Sequence, residues 1–236
     1  MKKVLFIGNS ATYVNEIPQT LARLSTRAGY PLECAQITRG GFELTRHADV
    51  STPHGQQILE ELNRGYDTVF LQDNGNCVTT KEKREACADA CGRLVAAVRK
   101  SGAAPAFYVR PPYGTMLGEY PPFVQCREFD LLFGAIAKHL GGLSCVYANR
   151  AFAHAMKSTP YPLWGPDNAH TSPYGGYLIV CTFFATLFGV SSSCLEAEGI
   201  ESAAARELQA VADAVALQGV IPWEASLPLE EIPKND

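Results

Sequence analysis

Short apolar runs that read as strands alternate along this chain with longer segments of helical periodicity, and that alternation narrows the fold more than any other feature. The first strand is predicted at residues 4–7, Val-Leu-Phe-Ile, and the first helix at 17–28, with Leu21 and Leu24 on its apolar face. Strands are predicted again at 32–38, 68–72, 106–109 and 143–146. Helices are predicted at 56–63, 81–100, 124–140 and 173–189. The last of these is apolar almost all round, so it belongs inside the protein. Strands that each lead into a helix imply a parallel sheet covered on both faces. The expected fold is α/β: a single-domain, three-layer αβα sandwich around a parallel sheet of about five strands. In such sheets ligands bind beyond the carboxyl ends of the strands, at a switch in strand order.

The 236 residues suit one domain, expected over 1–220, with the Pro- and acid-containing segment 221–236 as a loosely packed tail. The formal charge of −4 comes with no face-forming cluster of Lys and Arg, which argues against a nucleic-acid partner. The apolar run at 177–190 falls short of the ~20 residues that span a bilayer, so no membrane partner is expected. The run at 4–7 is too short for a secretory signal and leads straight into a candidate site, which gives the expectation of a cytoplasmic protein. The eight cysteines lack Cys-x-x-Cys spacing and a neighbouring histidine in zinc-site spacing, and read as reduced, mostly buried residues. Neither a metal nor a cofactor is expected, because the phosphate-binding glycine patterns are incomplete.

The candidate chemistry sits at the predicted strand ends. Ser10 follows the first strand in Gly8-Asn9-Ser10, Gly41 follows the second in Arg39-Gly40-Gly41, and residues 73–76 follow the third. Far downstream, Asp167-Asn168-Ala169-His170 places an acid three residues before a histidine. A serine hydroxyl needs a base to take its proton as it attacks, and histidine titrates near neutrality. A carboxylate on the second ring nitrogen would hold the tautomer and stabilise the imidazolium. The segment 111–122, rich in proline, glycine and tyrosine, would form a wall or lid over the same edge.

At these residues the chain resembles the SGNH hydrolase superfamily, the GDSL-like lipases and esterases. More narrowly it is similar to a poorly characterised branch whose nucleophile motif reads Gly-Asn-Ser. Four blocks match in order: Gly8-Asn9-Ser10, Gly40-Gly41, Leu71-Gln72-Asp73-Asn74-Gly75-Asn76 and Asp167-Asn168-Ala169-His170. The resemblance implies a catalytic triad of Ser10 (nucleophile), His170 (base) and Asp167 (its partner). It also implies an oxyanion hole made by the backbone N–H groups of Ser10 and Gly41 and one side-chain amide. The third block departs from the usual Gly-x-Asn-Asp. Counting from Asp67 points to Asn76, whereas the narrower branch's pattern points to Asn74 or Gln72.

The implied activity is that of a serine esterase, removing a small acyl group such as acetyl, carried on a small molecule or a carbohydrate. Acyl transfer through the same intermediate, or an impaired ligand-binding member of the fold, are the alternatives. His47, Tyr113 and Trp164 are candidate substrate contacts; each also has a packing or hydrogen-bonding reading. His54 reads as a helix start, and His139 and His154 as solvent-facing.

Overall fold

The order of residues along the first strand divides the core in two. The computed structural model describes residues Met1–Trp223; in it, β1 (Lys2–Gly8) turns Val4 and Phe6 to one face of the sheet and Leu5 and Ile7 to the other. The same alternation recurs in β3 (Thr68–Leu71) and β4 (Ala104–Val109), where Phe70 and Tyr108 face the first side and Leu71 and Phe107 the second. With β2 (Leu32–Thr38) and β5 (Ser144–Tyr147) they form one parallel sheet in the order β2-β1-β3-β4-β5. Both faces are covered, so the central strands are continuous apolar runs, as a sheet buried on two sides requires.

The first face carries α2 (Ile17–Arg27), α7 (Ala148–Ser158), α8 (Pro173–Phe188) and α9 (Ser202–Ala216). The second carries α3 (Leu44–His47), α4 (Pro53–Leu62), α5 (Lys81–Lys100) and α6 (Pro122–His139). A one-turn helix, α1 (Ser10–Tyr13), leaves the end of β1. The three-layer sandwich expected from the alternation is the observed fold.

The apolar α8 lies inside, as its composition implies. Phe183 on it meets the rings of Phe6, Phe70 and Tyr108 at centroid separations of 5.2, 5.1 and 4.9 Å. Besides the one-turn α1 and α3, two longer helices were not predicted. α7 begins directly at the end of β5, with Tyr147 as its cap and no turn residue to announce it. α9 is built largely of alanine, whose weak hydropathy blurs the periodicity, although Ala205, Leu208, Val211, Ala212 and Val215 all face inward. α4 starts earlier than predicted, at Pro53, because the Thr52 side chain accepts from the Gly55 N–H and caps it.

Residues 221–223 open the segment expected to be a loose tail. Trp223 is only 9% exposed and packs edge-on against Phe123 on α6. Residues 224–236 lie outside the described part. All eight cysteines are free, and Cys77, Cys87, Cys91, Cys126 and Cys181 are buried. Among the described residues no helix is long and apolar enough to cross a membrane.

Phe183→Ala removes the ring on which three strands converge. It should lower the unfolding free energy by about 3–5 kcal/mol in a denaturant titration. A loss under about 1 kcal/mol would mean that the cluster collapses around the gap.

Candidate active site

Strand order reverses at β1, which lies between β2 and β3, and the loops leaving β1 and β3 diverge there. The chain is sewn together at this point by amide side chains. Gln72, just past β3 and 1% exposed, accepts at Oε1 from the Asn9 backbone N–H (2.9 Å) and the Thr12 hydroxyl (2.9 Å). Asn9 caps α1 by accepting from the Ala11 N–H, while its Nδ2 donates to the Phe42 carbonyl beyond β2 (2.8 Å). Gly8 is glycine for want of room: a Cβ there would lie 2.6 Å from Gln72 Oε1 and 2.7 Å from Thr12 Oγ1. In Gly8-Asn9-Ser10 the first residue thus lets β3 approach and the second ties three strand ends together. The third then stands at the start of a helix with its backbone N–H unengaged.

The histidine arrives on a second braced loop. Asp167 Oδ2 lies 2.6 Å from His170 Nδ1, and Oδ1 accepts from the backbone N–H groups of His170 and Ala169 (3.0 Å each). The His170 N–H, the ring and the Ala169 N–H together hold the Asp167 carboxyl well below the usual carboxylate range. With Nδ1 occupied by the carboxylate, Nε2 is the nitrogen free for substrate chemistry. Asn168, with φ of +52°, turns the loop in the left-handed region that asparagine tolerates. Gly114 N–H donates to the Asn168 carbonyl (2.7 Å), and Asn15 Nδ2 donates to the Thr171 carbonyl (2.7 Å) and to the Thr171 hydroxyl (2.8 Å). The loop is therefore moored both to the 111–122 segment and to the residues that follow Ser10.

These pieces meet around one cavity of about 220 Å³. Ser10, Gly41, Asn74, Asn76 and His170 line it, together with Tyr113 from the expected wall. No hydrogen bond joins the Ser10 and His170 side chains, a looseness common in unliganded sites. The two amide candidates differ in what they already do. Asn74 Nδ2 donates to the Gly41 carbonyl (3.2 Å) and its Oδ1 accepts from the Asn76 N–H (2.9 Å), so it fastens one side of the cavity to the other. The Asn76 side chain makes no hydrogen bond among the described residues, nor does the Gly41 N–H. Gln72, the third candidate, does not line the cavity: its Oε1 takes the two bonds above and its Nε2 donates to the Asp73 carbonyl.

Arg110, which follows β4, also lines the cavity and was missed in the sequence. Its signal was positional: it occupies the fourth strand end, one residue after an apolar run. Trp164 does not line the cavity. Its Nε1 donates to the Pro112 carbonyl (2.9 Å) and its ring packs on Phe152 and over Gly114. The 111–122 segment is pinned rather than free, because buried Gln125 accepts from the Tyr113 N–H and donates to the Thr115 and Tyr120 carbonyls.

A group of possible metal ligands lies just under the third block, where none was expected. The ligand atoms of Asp73, Cys77 and Cys87 fall within 4.8 Å of one another, all buried. Asp73 accepts from the backbone N–H groups of Leu44 (2.7 Å) and Gly75 (3.2 Å). Burial pushes its carboxyl up, and a hydrogen bond from Cys77 to Cys87 together with burial pushes the Cys77 thiol up. Burial thus favours the protonated thiol at Cys77, and a cation bound there would have to displace that proton.

No family model and no curated protein matches the chain. Solved structures do. One is a putative SGNH hydrolase from Slackia heliotrinireducens, 24% identical, with a TM-score of 0.67 over 79% of this chain and 98% of that one. A DUF4886 family protein from Bacteroides uniformis is 17% identical with a TM-score of 0.78 over 96% and 99%. An acetyl-xylooligosaccharide esterase from Geobacillus, solved as a variant, is 16% identical with a TM-score of 0.59 over 84% and 97%. At these identities the likeness is one of fold.

His47 is not part of the cavity either. It is 1% exposed on α3, with Nδ1 2.8 Å from His54 Nε2 and Phe42 edge-on to both rings. Burial, and then the neighbouring His54, push its pKa down to about 4, against a smaller opposing effect of the Gly8 backbone. The unfolded chain binds this proton near pH 6.5 and the folded one only near 4, so stability falls as pH drops through that window and is unaffected above it. The expected loss between pH 7 and pH 4 is on the order of 3 kcal/mol from this residue. Urea titrations of wild type and His47→Gln should converge toward low pH; parallel curves would show that His47 is not held neutral.

Proposed function

We propose that this chain, which has the fold of the SGNH hydrolases, is a serine esterase acting on small, polar acyl esters. The observation that carries the reading is the 2.6 Å Asp167–His170 contact on a loop that borders the same cavity as Ser10. In the first half-reaction Ser10 Oγ attacks the ester carbonyl carbon and its proton passes to His170 Nε2. The carbonyl electrons move to oxygen, and Asp167 stabilises the imidazolium. Collapse of the tetrahedral species breaks the bond to the alcohol, which leaves with the proton from His170. Water, deprotonated by the same ring, then releases the acid and restores Ser10.

The developing oxyanion would be met by the Ser10 and Gly41 N–H groups and by the Asn76 amide, neutral donors left unengaged among the described residues. Asn74 then positions the hole by joining the Gly41 carbonyl to the Asn76 backbone. Substrate size follows from the cavity. Of the described residues around it only Ala11, Ala169 and the Tyr113 ring are apolar, which offers a long acyl chain little surface to bury. An acetyl group fits this description, and the likeness to an acetyl-xylooligosaccharide esterase supports a carbohydrate as its carrier.

Ser10→Ala should abolish hydrolysis of 4-nitrophenyl acetate with an unchanged melting temperature, and a fluorophosphonate should label wild type once and the variant not at all. Labelling of the variant would overturn the nucleophile assignment. Within the hole, Asn76→Ala should lower kcat by about 10²–10³ with little change in KM. Asn74→Ala should shift both parameters, since it frees the Gly41 loop. Equal, small effects of both would remove the side-chain donor while leaving the triad standing.

A further inference from the structure

Arg110 is 4% exposed, the most buried arginine of the described chain, and it borders the same cavity as Ser10 and His170. Among the described residues no carboxylate lies within ion-pair distance of it. Elsewhere the protein pairs the arginines it withdraws from water. Arg150 meets both oxygens of Asp130 (2.6 and 3.2 Å), Arg84 meets Glu128, and Arg23 meets Glu198. Two carboxylates beside the site are already committed, Asp167 to His170 and Asp73 to the backbone of residues 44 and 75. A desolvated guanidinium without a counter-charge is a costly thing to fold around.

The group is also held rigid. Its Nε donates to the Pro111 carbonyl (2.8 Å), Nη1 donates to the Asn74 carbonyl, and the plane stacks at 3.9 Å on the Tyr113 ring. The Tyr113 hydroxyl donates to that same Asn74 carbonyl. Two of the five guanidinium N–H groups are thereby used and three are left. Fastening the Asn74 loop needs only a neutral donor, so the permanent charge calls for another partner. On either side of Gly41 in the chain, Arg39 and Arg46 flank the Phe42 ring at 4.8 and 5.2 Å around a separate cavity, both exposed and neither in an ion pair among the described residues.

We propose that Arg110 binds a carboxylate carried by the substrate, so that the site selects esters bearing an anionic group near the scissile carbonyl over neutral esters of the same shape. This rests on the esterase reading above. The carboxylate is the missing counter-ion: binding supplies charge-assisted hydrogen bonds to a cation already desolvated and oriented.

The test compares two matched pairs on the wild-type protein. One places the charge on the acyl side, 4-nitrophenyl hydrogen succinate against its methyl ester. The other places it on the alcohol side, 4-acetoxybenzoate against 4-acetoxybenzamide. In at least one pair the anionic ester should have the higher kcat/KM by about tenfold or more, and Arg110→Gln should bring that ratio close to one. Arg110→Lys should restore part of it, since a point charge remains without the fork. Should both variants fail to fold, inhibition of wild-type 4-nitrophenyl acetate hydrolysis decides: succinate should compete and succinamide should not. No anionic preference in either pair, or a preference untouched by Arg110→Gln, would overturn the proposal. Undiminished 4-nitrophenyl acetate hydrolysis by Ser10→Ala would instead overturn the esterase reading, so the two failures are distinguishable.

Discussion

At the carboxyl edge of the sheet, one side-chain oxygen receives hydrogen bonds from two directions: Gln72 Oε1 takes the Asn9 N–H and the Thr12 hydroxyl. The arrangement is forced by the sheet itself. Between β1 and β3 the strands are buried on both faces, and where they end their polar groups are still out of reach of water. Each must find a partner inside the protein or carry a desolvation cost. Amide side chains meet the requirement because each both donates and accepts. Gln72, Asn9 and Asn74 tie together the ends of three strands, and Gly8 leaves the space in which the tie is made. The groups left over on top of this layer, the Ser10 and Gly41 N–H and the Asn76 amide, border the cavity without a hydrogen-bond partner among the described residues.

The same logic explains why the edge is rigid on every side. The 111–122 segment runs from β4 to α6 without a helix or strand of its own, so its backbone is held by hydrogen bonds with Gln125 and by Trp164 over Gly114. Through Gly114 and Asn15 that order passes to the loop bearing Asp167 and His170. Rigid scaffolding is what allows a charged group such as Arg110 to stay dehydrated with three N–H groups uncommitted. A mobile loop would swing it into solvent. Preorganisation of this kind places the cost of desolvation in folding and removes it from substrate binding.

Much of this was legible in the sequence, and the reasons are specific. β1 to β5 and the long helices announced themselves because burial on two faces demands uninterrupted apolar strands and amphipathic helices demand their own period. Ser10 and Gly41 stood out because strand ends in parallel sheets are where ligands bind, and Asp167 and His170 by their three-residue spacing, on a loop that leads into α8. α7 and α9 escaped, one for lack of a turn before it and the other because alanine carries little periodic signal. His47 and Trp164 were read as candidate contacts on residue type and proximity in sequence, which say nothing of where a ring points. His47 is instead buried against His54, and the half-buried Trp164 braces the 111–122 segment beside the site.

By itself, then, the order of residues determined the layers of the fold and marked the carboxyl edge of the sheet as the place to look for a site, since both follow from local hydrophobic pattern and from the topology of parallel strands. Only the tertiary structure bound Asn74 to Gly41 while leaving the Asn76 side chain unengaged among the described residues, gathered Asp73, Cys77 and Cys87 under the third block, and left Arg110 on the same cavity as Ser10 without a counter-charge. Those outcomes depend on which hydrogen bonds are already made among residues dozens of positions apart. A pattern along the chain lists donors and acceptors; the fold determines which remain unpaired.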